Sequence, residues 1–332
     1  MSVGKSCIRK DAYDKLTGRE QFVADMHLPG TLHATMVMSA HAHAEFEKPD
    51  AGSAMQIPGA VTVLTASDIP GRNILPLVMQ DMPFMATDHV TYHGQALALV
   101  VAATKKASVA MSRAVKVKYA PLEAVLSIER ALEPSSPRLY GNDNIFKSYR
   151  IIKGNTDQAF PGAFGICENT YRTPYQEHAY LETQGMLAVP DADGSMTVYG
   201  SMQCPFYVRD AVAAVLSLPL SKVRIVQAAT GGGFGGKEDI PSLIAAYASL
   251  AAWKCRKPVQ LVLGREEDLL FSSKRHPALI HYKTAYTSEG RIVGCRVQYY
   301  LNAGAFATLS PVVMWRGTVH AAGPYRVNHV HV

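Results

Sequence analysis

A glycine-rich segment carries the clearest chemical signal in the sequence. Residues 231–236 hold five glycines around Phe234, and Lys237-Glu238-Asp239 follows them. Glycine has no Cβ atom, so such a turn lets the backbone approach a large ligand closely. Its free N–H groups can bind an anion together with the positive end of a following helix. The segment therefore predicts a ligand-binding turn.

Two other interpretations of this segment compete. From Gly231 to Lys237 it matches the nucleotide P-loop pattern G-x-x-x-x-G-K, which continues with a Ser or Thr that holds magnesium. The next residue is Glu238, whose carboxylate would repel a phosphate. A flexible loop without a ligand is also disfavoured, because ordering five glycines costs backbone entropy.

Polar residues upstream of the turn could act with it. His178, Tyr180 and Glu182 alternate along Gln176–Thr183, and alternate residues of a strand share one face. We expect them to form a buried polar network; a metal site is the weaker alternative, since only His178 is a good nitrogen ligand. Gln203, taken alone, is typical of an ordinary amide at the end of a strand.

Strand–helix pairs flank both Gln203 and the glycine turn. Where two strands are each followed by a helix, the strand ends can meet at the same edge of a sheet. We therefore expect Gln203 to lie near Phe234. Hydrophobic periodicity supports the assignments. The two pairs are Met196–Met202 with Phe206–Leu216, and Lys222–Gln227 with Pro241–Lys254.

The rest of the chain predicts two units joined by a connector. Chain-breaking residues cluster at Pro134–Pro137 and Gly141–Asn144, so we place the connector at residues 126–150, between units at 1–125 and 151–332. The pattern predicts strands at Ala60–Thr65, Gln95–Ala103, Ala114–Ala120, Ile166–Arg172 and Val259–Leu263, a helix at Lys105–Arg113, and a hairpin of Ile280–Thr287 with Arg291–Leu301.

Composition excludes several classes of protein. The net charge of +6 comes from 33 basic and 27 acidic residues that are scattered, which disfavours nucleic acid as a partner. The five cysteines are widely spaced without a Cys-x-x-Cys pair, so a zinc site, an iron–sulfur site and a disulfide framework are all disfavoured. No apolar run is long enough to span a membrane. These features favour the cytoplasm.

Several blocks together resemble one protein family. Gly231–Glu238 is similar to the signature turn of the molybdopterin subunits of the xanthine dehydrogenase and aldehyde oxidase family, and Gln176–Thr183 to the family's Gln-x-His-x-Tyr-Leu-Glu segment. The order and spacing agree from about residue 9 onward. Further similar blocks are Thr17-Gly18, Asp25, Pro29-Gly30, Pro58-Gly59, His93–Gln95, Lys153–Asn155, Ala159-Phe160, Ser273–Pro277 and Asn302–Ala305.

The chain departs from the family pattern at two places. The family often has Ser-Pro-His-Ala-Arg where this sequence has Ser39-Ala40-His41-Ala42-His43. Asn155 replaces the usual Asp of a Lys-Gly-Asp piece. Both departures affect the subfamily assignment more than the chemistry expected of the family.

The resemblance implies an α+β fold. It places an a/b hammerhead domain at residues 1–125 and the first part of a molybdopterin-binding domain at 151–332. It implies a molybdenum–molybdopterin cofactor, with the cytosine dinucleotide form as one option, and iron–sulfur clusters and FAD on partner subunits. The family's catalytic base and substrate-contacting Arg belong to a later part of the subunit, which would be a further partner, so the isolated chain is expected to be inactive.

The resemblance also assigns roles to individual residues. Gln203 aligns with a glutamine that hydrogen-bonds an oxygen ligand of molybdenum, and Phe234 with the turn beside the metal, its ring packing as in a core. Gly232, Gly233 and Gly235 would help to hold the cofactor. Glu238 aligns with the catalytic glutamate that faces the substrate; its alternative role is that of a helix N-terminal carboxylate, for which Asp239 is better placed.

The function implied is hydroxylation of a purine-like N-heterocycle such as xanthine or hypoxanthine, with water as the oxygen source. Glu238 favours a purine, because family members that oxidise aldehydes commonly have another residue there. The alternative from a different class is a truncated, non-catalytic chain that acts only in subunit assembly or interaction.

Overall fold

A computed structural model describes residues 3–332. No helix in this range is both long enough and apolar enough to cross a bilayer. The strands are β1 Leu32–Met38, β2 Ala44–Phe46, β3 Ala60–Thr65, β4 His89–Val90, β5 Ala96–Ala102, β6 Tyr119–Pro121, β7 Ile152–Lys153, β8 Gly165–Thr173, β9 Gly185–Pro190, β10 Met196–Gly200, β11 Val223–Gln227, β12 Val259–Val262, β13 Ala278–Tyr286, β14 Ile292–Leu301 and β15 His329–His331. The helices are α1 Ala12–Leu16, α2 Lys105–Ala114, α3 Ile128–Leu132, α4 Thr156–Ala159, α5 Pro205–Leu216, α6 Ile240–Cys255, α7 Arg265–Phe271 and α8 Ser310–His320.

A seven-stranded mixed sheet contains strands from both of the predicted units. Its strand order is β11-β10-β9-β12-β1-β5-β3. β1 pairs in parallel with β12, Leu32 opposite Val259, so strands from residues 1–125 and from 151–332 share one sheet. The division of the chain into two units at 126–150 therefore stays a prediction.

Two smaller sheets complete the architecture. A five-stranded sheet has the order β7-β15-β14-β13-β8, and β13 with β14 forms the hairpin expected around residues 288–290. A three-stranded sheet, β4-β2-β6, is built entirely from strands within residues 1–125. Residues 122–150 contain only the short helix α3, as expected for a connector.

The main hydrophobic core lies where α5 and α6 pack against the large sheet. Thirteen residues of α6, from Ile240 to Ala252, are buried, which explains its almost uniformly apolar sequence. All seven residues of β5 are buried, because Leu99 and Val101 face the main core while Ala98 and Val100 face a second cluster under α2. This confirms the prediction of a strand covered on both faces.

Most of the elements that local patterns predicted are present, but the patterns failed at two segments. The alternation at Ala114–Ala120 was misleading: only Tyr119–Pro121 forms a strand there, and Lys116 makes a single bridge to Asp50. Gln176–Thr183 is not a strand but an irregular segment. β1, β9 and α8 were not predicted at all.

Candidate functional site

The glycine turn lies between β11 and α6, as predicted. Gly236 N–H donates to the carbonyl of Gly233 at 2.7 Å and closes a tight turn. Both central residues, Phe234 and Gly235, have positive φ angles, 53° and 94°, as in a type I′ turn. A phenylalanine with positive φ is strained, and such strain persists mainly at sites where the surrounding structure imposes it.

The ring of Phe234 does not pack in the core. It is 77% exposed, so the expectation of a packed ring is wrong for this chain. The backbone of the turn is held from the other side, and this leaves the ring facing outward. A large apolar side chain on a strained, exposed turn is available to a ligand or another polypeptide segment.

Gln203 is fixed against this turn by its carbonyl oxygen. Its Oε1 accepts the backbone N–H of Gly235 at 2.9 Å and that of Lys237 at 3.2 Å, and its own N–H donates to the Lys237 carbonyl at 2.7 Å. The predicted proximity of Gln203 and the turn is therefore confirmed. Nε2 makes no hydrogen bond within residues 3–332, which leaves two N–H donors for a ligand.

Gly233 lies directly against the side chain of Gln203. A Cβ atom at Gly233 would lie 2.5 Å from Oε1 of Gln203, too close for any real side chain. Gly236 is constrained in the same way, because its Cβ would lie 2.7 Å from the Tyr180 ring and 2.8 Å from His178. Three of the five glycines thus allow close approach by the protein itself rather than by a ligand, because a Cβ atom at Gly231 would also lie 2.5 Å from the Cβ of Glu182.

Glu182 ties the two ends of the glycine turn together. Its Oε2 accepts three hydrogen bonds: from Gly231 N–H at 2.7 Å, from Ser201 Oγ at 2.6 Å and from Lys237 Nζ at 3.0 Å. Gly231 begins the turn and Lys237 follows it. One carboxylate oxygen therefore sets the distance between its ends.

Lys237 is a fully buried lysine held by this carboxylate. Its Nζ donates to Glu182 and, at 2.9 Å, to Ser201 Oγ, and it lies 4.6 Å from the centroid of the Tyr180 ring. Burial lowers the pKa of Lys237, and the charge of Glu182 opposes this shift. A buried ion pair with its remaining donors satisfied is a rigid support for the turn.

The upstream segment reaches the turn without being a strand. Ala179 has a positive φ of 50°, and the chain around it bends so that His178, Tyr180 and Glu182 all border the glycines while Leu181 is 93% exposed. Tyr180 and Glu182 form the predicted polar network, although its stated cause, strand alternation, is wrong. His178 does not join it, because its buried Nδ1 has no hydrogen-bond partner among the described residues. Within residues 3–332 no group of three His, Cys, Asp or Glu side chains could hold a metal ion.

Asp268 on α7 completes the network around Tyr180. The Tyr180 hydroxyl donates to Asp268 Oδ1 at 2.7 Å and accepts from Gln184 Nε2 at 2.9 Å. Gln184 also donates to the Gly236 carbonyl at 2.8 Å. Burial, and then the Asp268 carboxylate, raise the pKa of Tyr180. Sequence reasoning missed Asp268 and Ser201, because neither lies within a recognisable motif.

The two carboxylates after the turn have different surroundings. Asp239 is 4% exposed and is the N-cap of α6, its Oδ1 accepting Ile240 N–H at 2.9 Å; burial raises its pKa. Glu238 is half-buried and forms no side-chain hydrogen bond within the described range. The capping role thus belongs to Asp239, as expected, and Glu238 is available to a ligand. Burial raises the pKa of the neighbouring Cys204 thiol, and the charges of Glu238 and Asp239 add to that effect.

Most of the chain matches two known family models. Residues 17–123 match the family model of the aldehyde oxidase and xanthine dehydrogenase a/b hammerhead domain, and residues 140–332 match that of the molybdopterin cofactor-binding domain. The chain belongs to the xanthine dehydrogenase and aldehyde oxidase family of molybdenum hydroxylases. The α+β fold, the oxidoreductase class and the molybdopterin cofactor implied by the resemblance are therefore confirmed at the level of the family.

Individual relatives cover almost the whole chain. It is 38% identical to the nicotinate dehydrogenase large molybdopterin subunit of Eubacterium barkeri over 99% of this chain and 77% of that protein. It is 35% identical to a probable xanthine dehydrogenase component of Bacillus subtilis over 98% of this chain. The aldehyde oxidoreductase of Desulfovibrio gigas has the same fold, with a TM-score of 0.91 at 23% identity over 97% of this chain.

The chain is shorter than most of these relatives. It spans 43% of the Bacillus subtilis protein, 24% of the xanthine dehydrogenase/oxidase of Gallus gallus and 37% of the Desulfovibrio gigas chain. The residues present fit a molybdopterin group, because the turn offers a strained, exposed backbone beside the free amide donors of Gln203. The roles of Gln203, Gly232, Gly233, Phe234, Gly235 and Glu238 toward that group stay predictions.

Proposed function

We propose that this chain supplies the glycine-turn side of the cofactor site in a molybdenum hydroxylase whose complete form oxidises a purine-like N-heterocycle, with water as the oxygen source. The observation that carries the proposal is the pairing of Gln203 with the turn. Its Oε1 accepts the N–H groups of Gly235 and Lys237, so the two N–H groups on Nε2 remain available to a ligand.

Gly232, Gly233, Phe234 and Gly235 would hold the cofactor through their backbone, and Gln203 would donate a hydrogen bond toward the metal centre. When bound, molybdenum supplies the two-electron redox chemistry that hydroxylates an electron-poor carbon. Because Gln203 is anchored through its oxygen, its donors need no reorganisation when the reaction occurs, which is the condition for effective electrostatic stabilisation. Phe234 would lie against the bound group or its substrate.

Glu238 would bind the substrate ring. A carboxyl group can accept from ring N–H groups, or donate when protonated, and a purine offers both kinds of partner. Its half-buried position without a protein hydrogen bond supports this role. A hydrogen bond that strengthens as charge gathers on the ring would favour the transition state.

A second candidate is a pyridine carboxylate. It is favoured by the 38% identity to a nicotinate dehydrogenase subunit, of which this chain spans 77%. Glu238 would repel the carboxylate of such a substrate unless that group faced away from it. The two candidates therefore predict opposite effects when the charge of Glu238 is removed.

The complete enzyme would need further components. We propose as partners an iron–sulfur subunit, an FAD subunit and the remaining part of the molybdopterin-binding region, with the enzyme in the cytoplasm and residues 1–125 and 151–332 acting as hammerhead and cofactor-binding units. The cofactor would be molybdopterin, with its cytosine dinucleotide as the alternative form. The isolated chain should bind little molybdenum.

The test is co-expression with the candidate partner subunits in a cofactor-competent host. Molybdenum content is measured by mass spectrometry, and kcat/KM for xanthine, hypoxanthine, nicotinate and an aromatic aldehyde, in the parent and in Glu238→Gln. We expect purine turnover to fall by about 30- to 1000-fold in the variant while aldehyde turnover changes little. Equal losses on all substrates, or faster nicotinate turnover in the variant, would contradict the purine assignment. An assembly without molybdenum would contradict the hydroxylase itself.

A further inference from the structure

Two histidines at the three-stranded sheet lie within hydrogen-bonding distance of each other. His43 immediately precedes β2, and His89 begins β4, which pairs with β2. Their Nε2 atoms are 3.1 Å apart, and the rings meet edge to face at 81°. Both side chains are half-buried. Neither residue belongs to the glycine-turn site.

A backbone carbonyl fixes the protonation of one ring. Nδ1 of His43 is hydrogen-bonded to the carbonyl oxygen of Glu123. A carbonyl only accepts, so Nδ1 carries the proton, and the neutral ring then has its lone pair on Nε2. This lone pair points toward His89. Histidines that bind metals are commonly oriented by such a hydrogen bond from the opposite ring nitrogen.

The spacing matches a pair of metal ligands. Metal–nitrogen bonds of about 2.0–2.1 Å place two neighbouring imidazole nitrogens roughly 2.9–3.4 Å apart, depending on the coordination angle. We propose that His43 and His89 form a two-histidine site for a divalent transition-metal ion such as Zn²⁺, separate from the molybdenum cofactor. Imidazole nitrogen is a suitable ligand for this class of ion.

The neighbouring side chains allow the coordination to be completed. Glu45 lies opposite His89 in the β2–β4 register, and it is exposed while Ala44 and Phe46 on the other face are buried. No third His, Cys, Asp or Glu side chain is already arranged around the pair within residues 3–332. Water, or Glu45 after a rotamer change, would fill the remaining positions, which predicts modest affinity.

The histidine pair is accessible from a cavity. His43 borders a cavity of about 1000 Å³ between the first unit, the connector and the five-stranded sheet, which provides a route for the ion. A bound ion would link β2 to β4 and, through Glu123, to the start of the connector.

The site is tested on the tag-free 332-residue chain by calorimetric titration with ZnCl₂. We expect one Zn²⁺ per chain in the parent. His43→Asn keeps a donor near the Nδ1 position for the Glu123 carbonyl but has no Nε2, so it should weaken binding by more than about tenfold. His89→Gln should do the same, and His320→Asn, on the exposed end of α8, should bind as the parent does.

A second measurement separates loss of the site from loss of the fold. Saturating Zn²⁺ should raise the melting temperature of the parent and of His320→Asn but not of His43→Asn or His89→Gln. Parent protein that binds no Zn²⁺ up to millimolar concentration would show that the two rings form only a hydrogen bond. Equal weakening in all three variants would indicate adventitious surface binding and would overturn the proposal.

Discussion

Nζ of Lys237 lies 3.0 Å from Oε2 of Glu182, and the lysine side chain is completely buried. The same oxygen accepts the N–H of Gly231, so the ion pair connects the residues on either side of the exposed turn at Phe234. The turn can present a strained backbone to a ligand because this buried pair holds it from behind. If the turn holds the cofactor as proposed, stability and cofactor binding are coupled through one carboxylate.

Lys237→Met should destabilise the chain strongly. It removes one partner of a buried pair and leaves the Glu182 carboxylate, 14% exposed, without its counter-ion, a loss of about 3–5 kcal/mol in the free energy of unfolding. Adding Glu182→Gln should recover part of that loss, because no buried charge then remains. Urea denaturation measures both. Lys118→Met, which removes an exposed pair with Glu47, should change stability by less than about 1 kcal/mol. Equal effects at the two lysines would refute the buried-support role.

Gln203→Glu should distinguish the structural role of Gln203 in the turn from its proposed role as a hydrogen-bond donor in catalysis. The carboxylate still accepts the N–H groups of Gly235 and Lys237, so the melting temperature should stay close to that of the parent. It lacks the amide donors, so kcat of the assembled enzyme should fall by about 100- to 1000-fold. Gln203→Ala removes both functions and should also cost about 1–3 kcal/mol of stability. Full activity in Gln203→Glu would show that the free donors have no catalytic role.

Gly233→Ala should disturb the contact between the turn and Gln203. The new methyl group would lie 2.5 Å from Oε1, so the glutamine must move, at a cost of about 1–3 kcal/mol in stability. Gly162→Ala is the matched control, because its Cβ meets no atom within 4 Å and its φ is not positive. Thermal denaturation compares the two. If both variants melt at the same temperature, the close packing at Gly233 is not a constraint.

Asp239→Asn should stabilise the chain at neutral pH. Burial raises the pKa of Asp239 above its ordinary value of 3.8, so the folded state favours the protonated carboxyl, and this contribution is lost as the pH rises through the folded-state pKa. Asparagine caps α6 with the same oxygen and carries no charge. The gain in stability from Asp239→Asn should vanish below about pH 4, where the aspartate becomes protonated in both the folded and the unfolded chain. Urea denaturation from about pH 3.5 to about pH 8 measures it.

Asp193, which is exposed, should give a pH dependence of stability with the opposite sign. Its hydrogen bond with Lys222 lowers the pKa of Asp193, so the stability it contributes is present at neutral pH and lost as the pH falls. Asp193→Asn should therefore reduce stability at neutral pH and approach the parent in acid. The same sign of pH dependence for both variants would contradict the assigned effect of burial at Asp239.

Elements with a strong local pattern could be predicted from the sequence. Ala60–Thr65 forms the predicted strand, and α6 and α2 differ from their predicted ranges by one residue at some ends. The glycine turn and the proximity of Gln203 followed from two strand–helix pairs. These features depend on periodicity, helix caps and glycine, which act over a few neighbouring residues.

The rest was decided by contacts between residues far apart in the chain. The alternating residues Ala114–Ala120 pair only in part: Lys116 bridges Asp50, and Tyr119 and Ala120 pair with β2. By contrast, β1 pairs with β12, far along the chain, so both predicted units contribute strands to one sheet. Tyr180 and Glu182 converge because buried polar groups must find partners, here Asp268 and Lys237, and not because of strand alternation. The sequence by itself determined which residues form the turn and that its backbone could approach a ligand. Only the tertiary structure determined which carboxylate holds it, because that choice depends on desolvation and distance across the fold.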